Sequence, residues 1–430
     1  MKHGLYGDSV AEYSVALASG RQSAAALMAR CLERVAERDT QIQAWSWLDN
    51  AQAMQAAEIA DCALQRGQRP SPLAGIPVAV KDLIDTAEMP TTYGSPIYKG
   101  HQPDSDAAIV SVLKKAGAVV MGKTVSTEFA CFTPGPTCNP HNTEHTPGGS
   151  SSGSAAAVAD GQAPFALGTQ TAGSVIRPAA FNGVVGLKPS FGVLPTAGTF
   201  SLCPTLDTLG FFSRTVGDQR LLLTALAPHM HIANAVTQPK VLVCKTPFWP
   251  QADAEVQQTF ERYVQRCEAA GVALEHYDMG PDFAALLDAQ QTIMSAEAWR
   301  ALSGLYHTQP DNLSSPLRAL LESGRQVRNA DEAAAHQIKA RCNYKLQQLF
   351  SRADYILTPA TASAAPRLEQ GTGDPLFNRI WTLLGLPAIT YPIARNEQGL
   401  PLGIQLIGNH YGDHALIDFA DKLQALTCTD

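Results

Sequence analysis

Charge is scarce in this chain of 430 residues: Asp, Glu, Lys and Arg make up 17%, and the net charge is −7. No basic cluster interrupts that balance, which argues against a nucleic-acid partner or an anionic membrane surface. No run approaches the ~18 unbroken apolar residues of a membrane-spanning helix. Residues 1–20 include Asp8 and Glu12 and lack a continuous apolar core, so no signal peptide is read there. The nine cysteines are an odd number, scattered, with no C-x-x-C pair. Reduced thiols in a cytoplasmic setting are expected. There is no H-E-x-x-H and no cysteine–histidine cluster, so no metal is expected. His141 and His145, in the proline-bounded turn NPHNTEHTP, read as surface histidines.

Hydrophobic residues reach 45%, enough for a sizeable core. Apolar residues at helical spacing mark residues 10–39, broken at Gly20, then 51–66, 106–116 and 254–270. Residues 286–350 read as mostly helical, with breaks near Pro310 and Pro316, and a last helix is expected at 414–426. Short apolar runs mark strands at 73–82 (LAGIPVAVKD), 118–123 (AVVMGK), 183–190 (GVVGLKPS), 240–244 (KVLVC) and 354–361 (DYILTPAT). PAITYPIA and PLGIQLIG read as a strand pair turned at Gln398-Gly399. This alternation, without a repeat, predicts one α/β domain over residues 1–430 with a mixed sheet. The weakest continuity lies at 227–238, where a second lobe would begin.

The chain is organised around residues 146–178, TPGGSSSGSAAAVADGQAPFALGTQTAGSVIRP. A Gly/Ser loop opens it, and SAAAVA follows as a helix behind a serine cap. PFALGTQT reads as a buried strand, Ala172-Gly173-Ser174 as a tight turn, and Pro178 as a limit on what continues. Ser150 and Ser174 thus sit in small-residue turns at the two ends of one helix–strand unit. Such loops need a reason, because their backbone polar groups must find partners.

Two formal motif matches fail on context. GAVVMGKT, from Gly117 to Thr124, fits a nucleotide-binding phosphate loop, but a helix precedes it and its middle residues are themselves strand. GSSSG, centred on Ser151, has TPGG before it and not the apolar strand a nucleophile elbow requires. Lys81, at the end of an apolar run and beside Asp82, has two readings. It is either a surface lysine or an enclosed amine whose charged form desolvation disfavours, leaving a base.

Taken together, LAGIPVAVKD, GAVVMGKTVSTEFA, the 146–178 unit, GVVGLKPSFGVLPTAG, DTLGFFSRTVGD, LTPAT, LLGLPAITYP and GLPLGIQLIG resemble the amidase signature family. The likeness covers nearly all of the chain outside 240–353. It implies a three-layer α/β/α fold with a central mixed, mostly parallel sheet. The catalytic core would fall at about 73–217, and 240–353 would be a variable region shaping the pocket. It implies a Ser–Ser–Lys triad at Lys81, Ser150 and Ser174, with a cis peptide between Gly149 and Ser150. In that scheme neutral Lys81 takes the proton of Ser150, Ser150 takes that of Ser174, and Ser174 Oγ attacks an amide carbonyl. Backbone N–H groups at Thr171, Ala172, Gly173 and Ser174 would face the oxyanion. No cofactor is implied; the expected partner is a small-molecule amide, with homodimers common among similar proteins.

Departures bear on substrate. Where many members read G-T-D-T-G-G-S-I-R, this chain has GTQTAGSVIRP: Gln170 replaces the aspartate, Ala172 a glycine, and Arg177 lies three residues past Ser174. Malonamidase-like and biuret-hydrolase-like members look similar. Arg177 then either binds an acidic or ureido substrate or braces the turn through an internal salt bridge. Leu83 and Val125 replace asparagines, implying a more apolar pocket wall. The expected activity is hydrolysis of a linear amide, releasing ammonia or an amine. The alternatives are an amidotransferase A-type subunit working with partners, and a nucleotide-binding protein through residues 117–124.

Overall fold

Apolar runs of four to eight residues, closed by glycine, proline or polar side chains, become the strands of one sheet. The structure is a computed structural model describing residues 8–230 and 236–427. The part of the 227–238 stretch at 231–235, the start of the N-terminal reading and Cys428 lie outside the described residues. The strands are β1 (Trp45–Leu48), β2 (Pro77–Lys81), β3 (Val119–Thr124), β4 (Phe165–Gln170), β5 (Val185–Lys188) and β6 (Thr208–Ser213). Then come β7 (Lys240–Val243), β8 (Ala273–His276), β9 (Tyr355–Pro359), β10 (Ala388–Arg395) and β11 (Pro401–Gly408). They lie in one 11-stranded sheet in the order β1-β3-β2-β4-β6-β5-β10-β11-β9-β7-β8. Strands from both sides of 227–238 share that sheet.

The sheet is mixed, but it is not mostly parallel. Parallel pairing is confined to β2 with β3 and β4, and β7 with β8 and β9. β6 enters antiparallel between β4 and β5, and β10 and β11 form the expected antiparallel pair. Alternating apolar periodicity carries no pairing direction, so neither pattern nor composition could supply it.

Helices cover both faces. One apolar cluster joins Leu27, Leu113, Leu222 and Phe419 to the sheet. The other joins Phe283, Leu321, Leu346 and Trp381 to its opposite side. The arrangement is three-layered, α/β/α. Leucines and alanines at helical spacing supply both faces. The helical stretch beyond residue 280 breaks at 309–314 and again at Val327–Arg328, whereas Pro316 sits inside the first turn of Ser315–Gln326. A first-turn proline loses no intrahelical hydrogen bond.

The same rule corrects the reading of Pro178. The chain continues past it as a helix, Ile176–Asn182, with Pro178 at the third position. The preceding helix, Ser152–Ala159, begins two residues before Ser154 and has no side-chain cap. Ser154 is not the cap: its Oγ donates to the Leu167 carbonyl at 2.8 Å. The loop hydroxyls are used to lace the Gly/Ser loop and its helix to β4.

Candidate active site

Lys81 ends β2 with 0% of its surface exposed. Its Nζ lies 2.7 Å from Ser150 Oγ and 2.8 Å from Thr169 Oγ1, both uncharged. Asp82 is engaged elsewhere, accepting from Thr92 and lying 3.3 Å from Lys123 Nζ. Burial therefore holds the Lys81 amine well below its ordinary range, with the Asp207 carboxylate opposing. Of its two sequence readings, the enclosed amine is the one realised. Lys123 is an interior residue of β3, reaching Thr91 Oγ1 at 2.5 Å, and burial brings its amine down to about 8. Residues 117–124 therefore form a turn and a strand, not a phosphate loop.

The Gly149–Ser150 peptide is cis. Gly148 before it has φ +81°, and a Cβ there would meet Pro178 Cα at 3.0 Å. Ser150 and Ser174 both open onto one cavity of about 550 Å³. Ser174 Oγ makes no hydrogen bond among the described residues. The link from Lys81 to Ser150 is thus direct, while Ser150 and Ser174 share a cavity without a bond between them.

The turn before Ser174 is held by its carbonyls. Thr382 Oγ1 donates to the Ala172 carbonyl at 2.6 Å, and Gln290 Nε2 to that of Thr171 at 3.5 Å. In a trans peptide the next N–H points the opposite way, so the Ala172 and Gly173 N–H groups are turned away from these partners. The N–H groups of Thr171, Ala172, Gly173 and Ser174 donate to nothing among the described residues. The following N–H groups, of Val175 and Ile176, both donate to Gln170 Oε1, at 2.8 and 3.0 Å. Gln170 Nε2 donates in turn to Thr382 Oγ1 at 2.9 Å. Gly173 is required by close approach: a Cβ there would lie 2.8 Å from Pro375 Cβ and closer still to Asn378 Oδ1.

Arg177 lines the cavity but forms no salt bridge among the described residues. Its Nη1 donates to the Gly373 carbonyl, and its Nη2 to the Gly149 carbonyl at 2.7 Å and Thr372 Oγ1 at 3.4 Å. Both prongs of the fork are held by neutral oxygens, so any bracing of the turn by this residue is through carbonyls and a hydroxyl and not through the expected salt bridge. Only Nε is without a partner.

Sequence reasoning missed Thr169, Asp207, Gln290, Arg379 and Thr382. Asp207 accepts from Thr171 Oγ1 at 2.5 Å, and burial raises its carboxyl to about 6. Thr169 alone had a signal, since it lies on β4 two residues before the turn. The others come from distant segments that only tertiary packing brings in. From 240–353, Gln291, Met294 and Leu320 line the cavity, whereas Leu83 and Val125 are buried away from its lining. His145 is not a surface group, being buried with Nδ1 2.7 Å from the Ala365 carbonyl, while His141 is half-buried with Nε2 2.8 Å from that of Asn182. Glu297, Glu332 and His336 come close enough to hold a metal ion. Glu297 is already accepting from Thr205, and Glu332 is paired with Arg300.

Fold and cavity point to an α/β enzyme with serine hydroxyls beside a lysine amine at its centre. The chain belongs to the amidase family, whose model, described as Amidase, matches residues 26–417. The A-type subunit of the glutamyl-tRNA(Gln) amidotransferase of Carboxydothermus hydrogenoformans is 31% identical, over 98% of this chain and 98% of that protein. A solved structure described as that of an amidase superposes with TM-score 0.90 at 29% identity, over 98% of this chain and all of the other. Another, reported as a vestigial protein complex bearing on the origins of an s-triazine catabolic enzyme, gives 0.90 at 28% identity, with coverage of 98% and 100%. These likenesses support a carbon–nitrogen hydrolase or amidotransferase. No helix among the described residues is long and apolar enough to cross a membrane.

Proposed function

We propose that this protein cleaves a carboxamide C–N bond through an acyl-enzyme on Ser174. The observation that carries the reading is the fully buried Lys81 amine, without an ion-pair partner among the described residues and 2.7 Å from Ser150 Oγ, with Ser150 and Ser174 opening onto one cavity. A neutral amine accepts a proton, and a hydroxyl both donates and accepts. Lys81 Nζ takes the Ser150 proton as Ser150 Oγ takes that of Ser174. Ser174 Oγ then bonds to the amide carbon, and the oxygen gains negative charge opposite the free N–H groups of residues 171–174. Each well-placed donor is worth roughly 3 kcal/mol at that stage. The C–N bond breaks as the nitrogen receives a proton back through Ser150, and water releases the acyl group by the reverse relay.

Two settings suit this chemistry. The relative named as an amidotransferase component, 31% identical over 98% of both chains, favours a protein that passes the amide nitrogen onward with partner chains. That setting has the stronger support. The solved relative described as an amidase supports a hydrolase of small amides acting alone. Ammonia release by the purified chain separates them, using malonamate, biuret, glutamine, and aliphatic and aryl amides. Turnover in isolation supports the hydrolase, and turnover of glutamine only with added partner chains supports the other. If no amide ever acylates Ser174, as read by intact-protein mass after acid quench, the proposal is wrong in both forms.

A further inference from the structure

Two guanidinium groups line the cavity, and they are held differently. The Nη atoms of Arg177 are occupied by carbonyls and a hydroxyl, as described above. Arg379 comes from the helix Leu376–Leu383 on the other wall. Its Nε donates to Gln290 Oε1 at 2.6 Å, and its Nη2 to Gln291 Oε1 at 2.8 Å and the Leu287 carbonyl at 3.4 Å. All three acceptors are neutral and lie on the helix Gly280–Thr308. They fix the plane of the guanidinium without cancelling its charge. Nη1 has no acceptor among the described residues, and no carboxylate there forms an ion pair with the group. Asp374 and Asp288 act on it only at longer range.

The charged side chains lining the cavity are Arg177, Arg379 and Asp374, of which Asp374 is exposed. One positive charge is left over; the open donor of Arg177 is its buried Nε, whereas that of Arg379 is a terminal Nη1. Gln291, which accepts from Arg379, and Gln370 and Thr372 also line the cavity and favour a polar ligand end over an apolar one. A planar, half-enclosed guanidinium with a free prong is suited to a carboxylate.

We infer that Arg379 anchors a carboxylate carried by the substrate at the end remote from the scissile amide. This rests on the proposed reading that amides are cleaved in this cavity, and it names the substrate class as carboxylated amides. Gln290 joins the anchor to the turn, since the same side chain accepts from Arg379 and donates to the Thr171 carbonyl. Occupation of Arg379 therefore also steadies the donors opposite the reacting oxygen.

The experiment has a binding arm and a turnover arm. In the first, malonate, succinate and glutarate are each added to the purified protein, with 1,4-butanediol and sodium chloride of matched ionic strength as controls. The expected result is a rise in melting temperature with at least one dicarboxylate, absent with the controls and lost in Arg379→Gln. In the second, kcat/KM is compared for carboxylated amides and their neutral counterparts, such as succinamate and butyramide. The acid-to-neutral ratio should fall about 10- to 100-fold in Arg379→Gln, the worth of one charge-assisted hydrogen bond. Arg379→Lys keeps the charge and should retain part of the preference; it also serves if the glutamine variant fails to fold. The inference is overturned if no dicarboxylate stabilises the parent, if the ratio survives Arg379→Gln, or if it falls equally in Arg379→Lys. Should neither amide turn over, the dicarboxylate arm alone decides the anchor, and the cleavage reading is judged separately by the acylation of Ser174.

Discussion

Lys81 Nζ reaches Ser150 Oγ at 2.7 Å across 69 residues of sequence. Its neighbour Asp82 turns the other way, to Lys123 at 3.3 Å. Successive side chains leaving a strand point to opposite faces, and that alternation separates an amine from the carboxylate next to it in sequence. Had Asp82 faced the same way, it would have kept Lys81 charged and useless as a base.

This separation sets the pH dependence of activity. Burial holds the Lys81 amine well below its usual range and Asp207 raises it part of the way back. The base is active once deprotonated, so kcat/KM should climb with pH along an acid limb and level off far below pH 10. Removing the Asp207 charge removes the opposing influence. In Asp207→Asn the limb should therefore move to lower pH, and Lys81→Ala should lose at least about a thousandfold in kcat. The pH–rate profile of amide cleavage checks both; a limb moving upward in Asp207→Asn contradicts the assignment.

Gln170 should prove a positioning residue. Its amide oxygen receives the N–H groups of Val175 and Ile176, and its amide nitrogen reaches Thr382, which holds the Ala172 carbonyl. Gln170→Glu keeps the acceptor and loses the donor to Thr382. The expected result is a kcat lowered by about tenfold, a KM little changed, and about 1–3 kcal/mol of stability lost to the altered buried polar group. Steady-state kinetics with urea unfolding tests this. A change confined to KM would place Gln170 in substrate binding instead.

Much of the fold and of the site is legible in the sequence, and the boundary is physical. β2, β3 and β4 are read directly, to within a residue at their C-terminal ends, because the short apolar runs at 73–82, 118–123 and 164–171 suit buried strands. The serines of the Gly/Ser loop and of the turn stand out because small residues cluster only where backbones must come close. The direction of β6 is invisible, since pairing is a property of two segments and pattern describes one. Pro178 conceals a helix, because a first-turn proline and a helix-ending one look alike in sequence. Arg379, Gln290 and Thr382 are ordinary helix residues until the sheet brings their helices over the turn. Arg177 draws attention by its nearness to Ser174, whereas the arginine with an open terminal Nη lies about two hundred residues further on.

Arg177 should act through the backbone before Ser150. It ties the Gly149 carbonyl to the 372–373 segment through Thr372 and Gly373. Arg177→Met leaves those acceptors buried without a donor. A loss of about 2–4 kcal/mol in stability is expected, from hydrogen bonds to a charged group. The kcat should fall at least tenfold as Ser150 loses its support, with the preference between acidic and neutral amides kept. A lost preference with kcat intact would return Arg177 to the role of substrate fork.

The buried lysines also leave a mark on stability. Lys188 is fully buried, its Nζ 2.9 Å from the Pro189 carbonyl. Asp413 nearby accepts from Ser190 N and Oγ at 2.7 and 2.6 Å. Burial brings the Lys188 amine down to about 7, with Asp413 opposing. In the unfolded chain the same amine titrates near ~10.4. Below pH 7 it is protonated in both states, and above ~10.4 in neither. Between these limits only the unfolded chain holds the proton, so unfolding becomes less favourable as pH rises, by about 1.4 kcal/mol per pH unit. Lys123, brought down to about 8, adds the same sign from pH 8 upward. Stability to urea should therefore rise between pH 7 and 9, before other groups are counted. Lys188→Met should remove on the order of 2 kcal/mol from that rise, whatever its constant offset from the altered packing. A variant whose stability climbs as steeply as the parent's over those two units would mean that Lys188 keeps its charge in the folded protein, with Asp413 as its effective partner.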